Sequence, residues 1–144
     1  MDHGLIAPAL RPRLPSGRTQ RVGEVFDRVL DEAPERLALI GRSGRLRYGE
    51  LDRAVNRAAG VLAGLGVGPG DRVAACLPND LPIVVAFLAT QRLGAIWVGV
   101  NRPLAAPEKA WLLDDSGARV YLTSEDLADE IPDRDLVLDE HAWA

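Results

Sequence analysis

Segments with helical periodicity alternate with short apolar segments from Gly49 onward, and this order constrains the fold more than any other feature of the sequence. Short connections rich in glycine and proline separate them. Strands that alternate with helices pair in parallel, because each helix returns the chain to the end of the sheet from which the strand started. The sequence therefore predicts an α/β fold with a mainly parallel sheet flanked by helices.

The bounds of these elements follow from the spacing of the apolar residues. Helices are predicted over residues 22–33, 49–65, 80–93, 107–115 and 124–130. Strands are predicted over residues 37–40, 46–48, 71–77, 95–100, 119–123 and 136–138, and the first two form a hairpin. Gly66 is predicted to end the second helix, because glycine adopts a left-handed backbone conformation at little steric cost.

Three expectations concern burial. Residues 95–100 are apolar throughout, which is typical of a strand covered on both faces by helices. Trp111 and Leu112 are predicted to face the core, with Ala110 as a further candidate. Cys76 lies in an apolar strand and is predicted to be a small buried hydrophobic residue.

Composition limits the classes of protein to which the chain can belong. Its 144 residues suit one domain, and 17 basic against 21 acidic residues give a net charge of -4. This balance provides no basic field for nucleic acid or an anionic membrane, so neither partner is expected. One cysteine and two histidines exclude an internal disulfide and a structural zinc site, and they favour a reducing cytoplasm.

Two segments raise the question of targeting or membrane insertion. Residues 1–17 contain three prolines and no apolar run, so we predict an extended leader, followed by a single unit over residues 18–144. Residues 81–100 are mostly apolar, but Arg92 would lie near the bilayer centre. A helix followed by a buried strand is therefore predicted there, with no membrane span.

The residues that could carry chemistry do not form a recognisable site. The glycines of residues 60–70 lack the spacing of a dinucleotide or P-loop motif, and they follow a helix, whereas anions bind where a helix begins. Asp114 and Asp115 are adjacent on a helix and diverge by about 100°. Ser43-Gly44 is too isolated for a nucleophile elbow, which needs the pattern G-x-S-x-G between a strand and a helix. We predict no catalytic, cofactor-binding or metal-binding residue in this chain.

An ordered series of short motifs nevertheless resembles a known family. The motifs are Leu46-Arg47-Tyr48-Gly49-Glu50-Leu51, Asn56, residues 66–74, Leu77-Pro78-Asn79, Phe87-Leu88-Ala89, Leu93-Gly94-Ala95, Asn101-Arg102-Pro103-Leu104, Pro107-Glu108 and residues 112–120. Over residues 22–123 their order and spacing resemble the amino-terminal subdomain of AMP-forming adenylating enzymes. The segment from Leu93-Gly94-Ala95 to Asn101 is more similar to acyl-CoA synthetases than to peptide-synthetase domains, in which an acidic residue is usual at the Asn101 position.

The resemblance has departures as well as matches. Family members commonly have Thr or Ser where Arg47 stands, so the helix that follows is expected to start more weakly, by about 1 kcal/mol. Ala105 and Ala106 replace another hydroxyl cap. Full-length members hold ATP with a loop that ends in Pro-Lys-Gly, and a mobile carboxy-terminal domain supplies a lysine. The only lysine here, Lys109, matches a surface helix of the family and is not carried over as catalytic.

The resemblance implies a truncated subdomain of an acyl-CoA synthetase-like ligase, itself without the catalytic motifs. The parent enzyme would convert a carboxylic acid and ATP into an acyl-adenylate and then into a thioester with CoA, as in fatty acid metabolism. ATP, Mg²⁺ and CoA are implied for the full-length member and none of them for this chain. The expected partner is the remainder of the enzyme. The alternative is a free-standing, noncatalytic module that binds a protein through an exposed apolar face.

Overall fold

The computed structural model describes residues 22–131 and 137–138, so the predicted leader over residues 1–17 lies outside the described residues. The described helices are α1 (Asp27–Glu32), α2 (Tyr48–Gly64), α3 (Leu81–Arg92) and α4 (Ala106–Ser116), with 3₁₀ helices at Val22–Glu24 and Glu125–Glu130. The strands are β1 (Leu37–Gly41), β2 (Gly44–Arg47), β3 (Arg72–Cys76), β4 (Ile96–Gly99), β5 (Val120–Thr123) and β6 (Val137–Leu138).

The main sheet confirms the predicted fold class. Its strands run in the order β4-β3-β5-β6, and every neighbouring pair is parallel. Val73 of β3 is in register with Trp97 on one side and Val120 on the other. Helices α3 and α4 make the crossovers, and β1 and β2 form the predicted antiparallel hairpin. No helix of the described part is long and apolar enough to cross a bilayer.

Side chains on the two faces of the sheet belong to two separate apolar clusters. Successive residues of a strand point to opposite faces, so Val73 and Leu122 join the cluster that contains α2 and α3. Tyr121 and Cys76 join the other cluster, together with Leu113 of α4. Cys76 is completely buried, as predicted. The sheet is thus the middle layer of three.

Helix α2 starts with half of a capping box. The Glu50 carboxylate accepts the backbone N–H of Arg47 at 2.7 Å. The Arg47 side chain has no acceptor atom for the backbone N–H of Glu50, and it donates instead to the carbonyl of Glu35. Helix α4 repeats the arrangement, because Glu108 accepts the N–H of Ala105 at 2.9 Å. The glutamate half of each box survives the loss of the hydroxyl, and the weaker helix start stays a prediction. Gly66 follows α2 with a φ of 81°, as predicted.

The predicted helix over residues 22–33 is wrong in its first half. The chain forms a 3₁₀ turn there, and α1 begins at Asp27. Val22 and Val25 are exposed, whereas Phe26 is buried. The backbone of Gly23 lies against the end of α3, so close that a Cβ atom there would come within 3.1 Å of the Arg92 backbone. This approach fixes the segment against α3 and turns both valines outward.

Two further burial expectations are wrong. Ile96 is 51% exposed, because β4 lies at the edge of the sheet and pairs with β3 alone among the described strands. Trp111 is 62% exposed on α4, although Ala110 and Leu112 do pack against the core. The inward positions of α4 are instead Lys109 and Leu113, which are four residues apart. Helix α4 has an exposed face, as the match to a surface helix implied, but the side chain of Lys109 lies on its buried face.

Asp80 joins the hairpin to the start of α3. Its carboxylate accepts the N–H of Ser43 at 3.0 Å and the N–H of Leu81 at 2.9 Å. Desolvation alone would raise the pKa of Asp80, but these donors outweigh it and hold the pKa of the carboxyl below its ordinary value. Because the folded-state pKa is lowered, the contribution of this contact is present at neutral pH and is lost as the pH falls through that pKa.

Gly41 is required beside this carboxylate. A Cβ atom on Gly41 would lie 2.0 Å from Oδ1 of Asp80, so Gly41→Ala should displace the carboxylate from the N–H groups of Ser43 and Leu81 and lower the free energy of unfolding. Urea unfolding measures the loss. The control is Gly60→Ala inside α2, where a Cβ meets nothing within 4 Å and should stabilise by about 0.5–1 kcal/mol. Equal effects of the two substitutions would contradict this role of Gly41.

Candidate functional site

A cleft of about 330 Å³ opens at the carboxyl ends of β3 and β4. In open α/β sheets this is the edge at which ligands bind, because neighbouring strands end there and the connections diverge. One side of the cleft is apolar and the other is polar. Its apolar wall consists of Ala75, Leu77, Ile83 and Trp97, and its polar groups are Asn79, Asn101 and Arg102.

The ends of three elements place these side chains. Asn79 lies in the turn before Asp80, whose carboxylate caps α3. Asn101 and Arg102 begin the connection from β4 to α4. Trp97 stands on β4 with its ring at 5.7 Å and 87° to that of Phe87, an edge-to-face contact that fixes the apolar wall. The apolar wall is therefore built largely on β3, α3 and β4, whereas the three polar side chains lie on the connections that follow the two strands.

Arg102 ties together two connections at this edge. Its guanidinium donates to Ser124 Oγ at 2.6 Å and to Asp126 Oδ2 at 2.9 Å. The hydrogen bond from Ser124 and the guanidinium of Arg102 lower the pKa of the Asp126 carboxyl. Because the Asp126 side chain is 63% exposed, the ion pair is worth little on its own. The guanidinium of Arg102 at the cleft is therefore already paired with the Asp126 carboxylate and the Ser124 hydroxyl.

These residues do not fit a nucleoside triphosphate or its metal. A triphosphate needs several converging N–H donors or cations, and the cleft offers two amide side chains and one engaged arginine. Within residues 22–131 and 137–138, no group of three His, Cys, Asp or Glu side chains could hold a metal ion. No step of a reaction can be derived for ATP or Mg²⁺ on these residues.

The glycine-rich loop after α2 does not supply a phosphate site either. The N–H of Val67 donates to the Leu62 carbonyl at 3.0 Å, and that of Gly68 donates to the Asp71 carboxylate at 2.8 Å. The amides are thus directed at groups of the loop and helix, and a carboxylate occupies the position that an anion would need. The loop is a helix end followed by a turn.

The other residues considered from the sequence lie apart from the cleft. Ser43 is in the hairpin turn, and Asp114 and Asp115 are exposed on α4. Cys76 is buried beside Tyr121, where desolvation and the contact with Cys76 raise the pKa of the phenol. None of these residues meets another to form a catalytic arrangement in the described part. The absence of catalytic residues from the whole chain stays a prediction.

Lys109 is a charged residue whose burial the sequence analysis did not predict. Its Nζ donates to Glu130 Oε2 at 2.5 Å, and its side chain is 1% exposed, against 37% for Glu130. The pair connects α4 to the 3₁₀ helix that follows β5. The available signal was the position four residues before the buried Leu113, which places Lys109 on the inward face.

A second polar cluster is formed by Arg92, at the end of α3. Its guanidinium donates to Asp52 Oδ1 at 3.0 Å and to Asn56 Oδ1 at 2.6 Å. It also lies over the Phe26 ring, 5.7 Å from the centroid. Asn56, one of the motif positions, therefore has a structural partner. These contacts of Arg92 connect α3 to α2 and to Phe26, which directly precedes α1.

Comparison with known proteins gives this fold a family. The profile described as "AMP-binding enzyme" matches residues 26–143. The long-chain-fatty-acid–CoA ligase FadD13 of Mycobacterium tuberculosis is 41% identical over 78 residues, which are 54% of this chain and 16% of that protein. This chain therefore corresponds to a small part of that relative's length.

Solved structures give the same result. The O-succinylbenzoate coenzyme A synthetase MenE of Bacillus subtilis, in complex with AMP, matches 85% of this chain and 32% of its own, with 30% identity and a TM-score of 0.76. The N-terminal domain of FACL13 from Mycobacterium tuberculosis matches 76% of this chain and 29% of its own, with 33% identity and a TM-score of 0.73. The chain belongs to the AMP-binding enzyme family, and its α/β fold is that of an N-terminal subdomain of adenylate-forming enzymes.

Proposed function

We propose that this chain is the supporting amino-terminal lobe of an AMP-forming acid–thiol ligase. The observation that carries the proposal is the match to MenE, which extends over most of this chain but only 32% of MenE. The cleft residues do not fit a triphosphate or a metal ion. We therefore assign the binding of ATP, Mg²⁺ and CoA in the parent enzyme to residues other than those of this chain that the structure describes.

The proposed parent reaction has two steps. The substrate carboxylate forms a bond to the α-phosphorus of ATP, and pyrophosphate leaves with the electron pair of the broken P–O bond. The CoA thiolate then attacks the acyl carbon, and AMP leaves. FadD13 is named for long-chain fatty acids, so we assign a fatty acid rather than an amino acid to the parent enzyme. Use of ATP and CoA suits the cytoplasm.

Within this reaction the lobe supplies support rather than reacting groups. The cleft at the ends of β3 and β4 would form one wall of a channel, with Trp97 and Ile83 towards an apolar chain and Asn79 and Asn101 towards polar groups. Arg102 holds the connections at this edge in place through Ser124 and Asp126. In this proposal, no residue in the described part of the lobe forms or breaks a bond in either step.

One observation favours the second candidate, a noncatalytic module that binds a partner protein. Ile96 on the edge strand and Trp111 on α4 are large apolar side chains that are more than half exposed. Such side chains are typical of surfaces that another polypeptide covers. The lobe proposal accounts for the same side chains by contact with the remainder of the enzyme.

Pyrophosphate exchange on the 144-residue protein tests whether catalysis lies elsewhere. With ATP, Mg²⁺ and carboxylic acids from acetate to long-chain fatty acids, we expect no acid-dependent exchange above background, because no triphosphate site is present among the described residues. FadD13 serves as the positive control in the same assay. Acid-dependent exchange that follows the purified wild-type protein, and that is lost on its thermal unfolding, would show that the catalytic assignment is wrong.

A further inference from the structure

The chain carries one side-chain amine, because Lys109 is its only lysine among 17 basic residues and the others are arginines. The arginine guanidinium stays protonated and does not accept acyl groups as a lysine amine does. Lys109 is also the most enclosed charged side chain of α4, with 1% of its surface exposed. Amine chemistry on the side chains of this lobe is therefore confined to one shielded atom.

This restriction matters if the proposed function is correct, and the inference rests on it. An acyl-adenylate is a mixed anhydride that acylates free amines. The Lys109 ammonium would first lose a proton to water. The Nζ lone pair would then form a bond to the acyl carbon, the C–O bond to the AMP phosphate would break, AMP would leave with the electron pair, and a second proton would pass from Nζ to water. We propose that Lys109 is a latent acylation site, shielded by its pair with Glu130 and modified only when the segment after β5 opens.

The geometry of the shield supports this inference. Glu130 accepts from Nζ at 2.5 Å, at the end of the 3₁₀ helix Glu125–Glu130. The buried side chain of Ile131 holds one end of this segment, and the bonds of Arg102 to Ser124 and Asp126 hold the other. An acyl donor can reach Nζ only after the segment moves away from α4.

Acylation would also prevent the segment from closing again. The amide formed on Nζ is neutral, so it cannot restore the ion pair with Glu130. The added acyl group needs volume that a 1% exposed side chain does not have around it. Because Arg102 links the same segment to the cleft, modification of Lys109 would loosen the edge of the sheet at which the cleft lies.

The test compares two amines in one molecule. Arg57 is exposed on α2, so Arg57→Lys introduces a matched, accessible lysine. The folded variant is treated with sulfo-N-hydroxysuccinimide acetate, and acetylation of the introduced lysine and of Lys109 is followed by peptide mass spectrometry. We expect the introduced lysine to react roughly 100-fold faster, with equal rates in denaturing urea. Comparable rates in the folded protein would overturn the proposal.

Opening is tested with two variants that leave Lys109 in place. Glu130→Gln removes the charge partner, and Arg102→Met releases the other end of the segment without touching Lys109. Each should raise the rate at Lys109 by roughly tenfold relative to the introduced lysine. The proposal is wrong if neither variant changes that ratio while circular dichroism shows a folded protein.

The source of the acyl group is tested separately with acetyl-adenylate. Acetylation of Lys109 by acetyl-adenylate in the opened variants supports the whole proposal. If the shield holds against the succinimide ester but acetyl-adenylate leaves Lys109 unmodified even in the opened variants, latent acylation by this donor is refuted. That outcome is independent of the proposed function, which the pyrophosphate exchange assay and a FadD13 chimera test.

Discussion

Glu130→Ala is expected to lower the free energy of unfolding by about 3 kcal/mol, because it leaves the Lys109 ammonium buried without a partner. Substitution of Glu130 should lower the free energy of unfolding more than substitution of Lys109 does. Lys109→Met removes the buried charge, keeps most of the apolar stem and leaves Glu130, which water reaches over 37% of its side chain. We expect that change to cost less than about 1 kcal/mol.

Urea unfolding at neutral pH, followed by far-ultraviolet circular dichroism, measures both variants. The double variant Glu130→Ala with Lys109→Met should recover most of the loss caused by Glu130→Ala alone, since no charge then remains buried. We argue that the ion pair is needed only because the Lys109 ammonium is enclosed. Equal losses of unfolding free energy in the two single variants, or no recovery in the double variant, would contradict this explanation.

The fold class followed from the sequence because its cause is local. Apolar spacing and short connections with glycine and proline specify alternating helices and strands, and such alternation leaves few arrangements other than a parallel sheet. The end of α2 was also predictable from the sequence. Gly66 has a φ of 81°, a conformation that few other residues accept, and a glycine directly after the apolar stripe of the helix predicted it.

The errors arose where a residue's environment depends on distant parts of the chain. Lys109 pairs with Glu130, which lies 21 residues later, and neither helical spacing nor the resemblance shows that contact. Ile96 is exposed because β4 lies at the edge of the sheet, and strand order is not encoded in the apolar run of residues 95–100. Trp111 was assigned to the core by its hydrophobicity, against the face that Leu113 defines.

The candidate site was not predicted for the same reason. Asn79 and Asn101 were recognised only as motif positions, and they line one cleft because β3 and β4 are neighbours in the sheet and end at the same edge. The bonds from Arg102 to Ser124 and Asp126 join connections that follow different strands. Topology therefore had to be known before the cleft could be placed.

The second large effect is expected from a chimera in which this chain replaces the matching amino-terminal segment of FadD13. If the lobe supports catalytic groups that lie elsewhere, the chimera will have both halves of the fold. The chimera should form long-chain acyl-CoA about 100-fold faster than the FadD13 remainder alone, or faster still, because correct positioning of the reacting groups raises reaction rates by factors of this size or larger.

The most direct test of the supporting role is therefore acyl-CoA formation from a long-chain fatty acid, ATP and CoA. It is measured for the chimera, the FadD13 remainder and the 144-residue protein, each shown by circular dichroism to be folded. The supporting role predicts activity in the chimera and none in the 144-residue protein. A folded, inactive chimera, or acyl-CoA formation by the 144-residue protein alone, would contradict it.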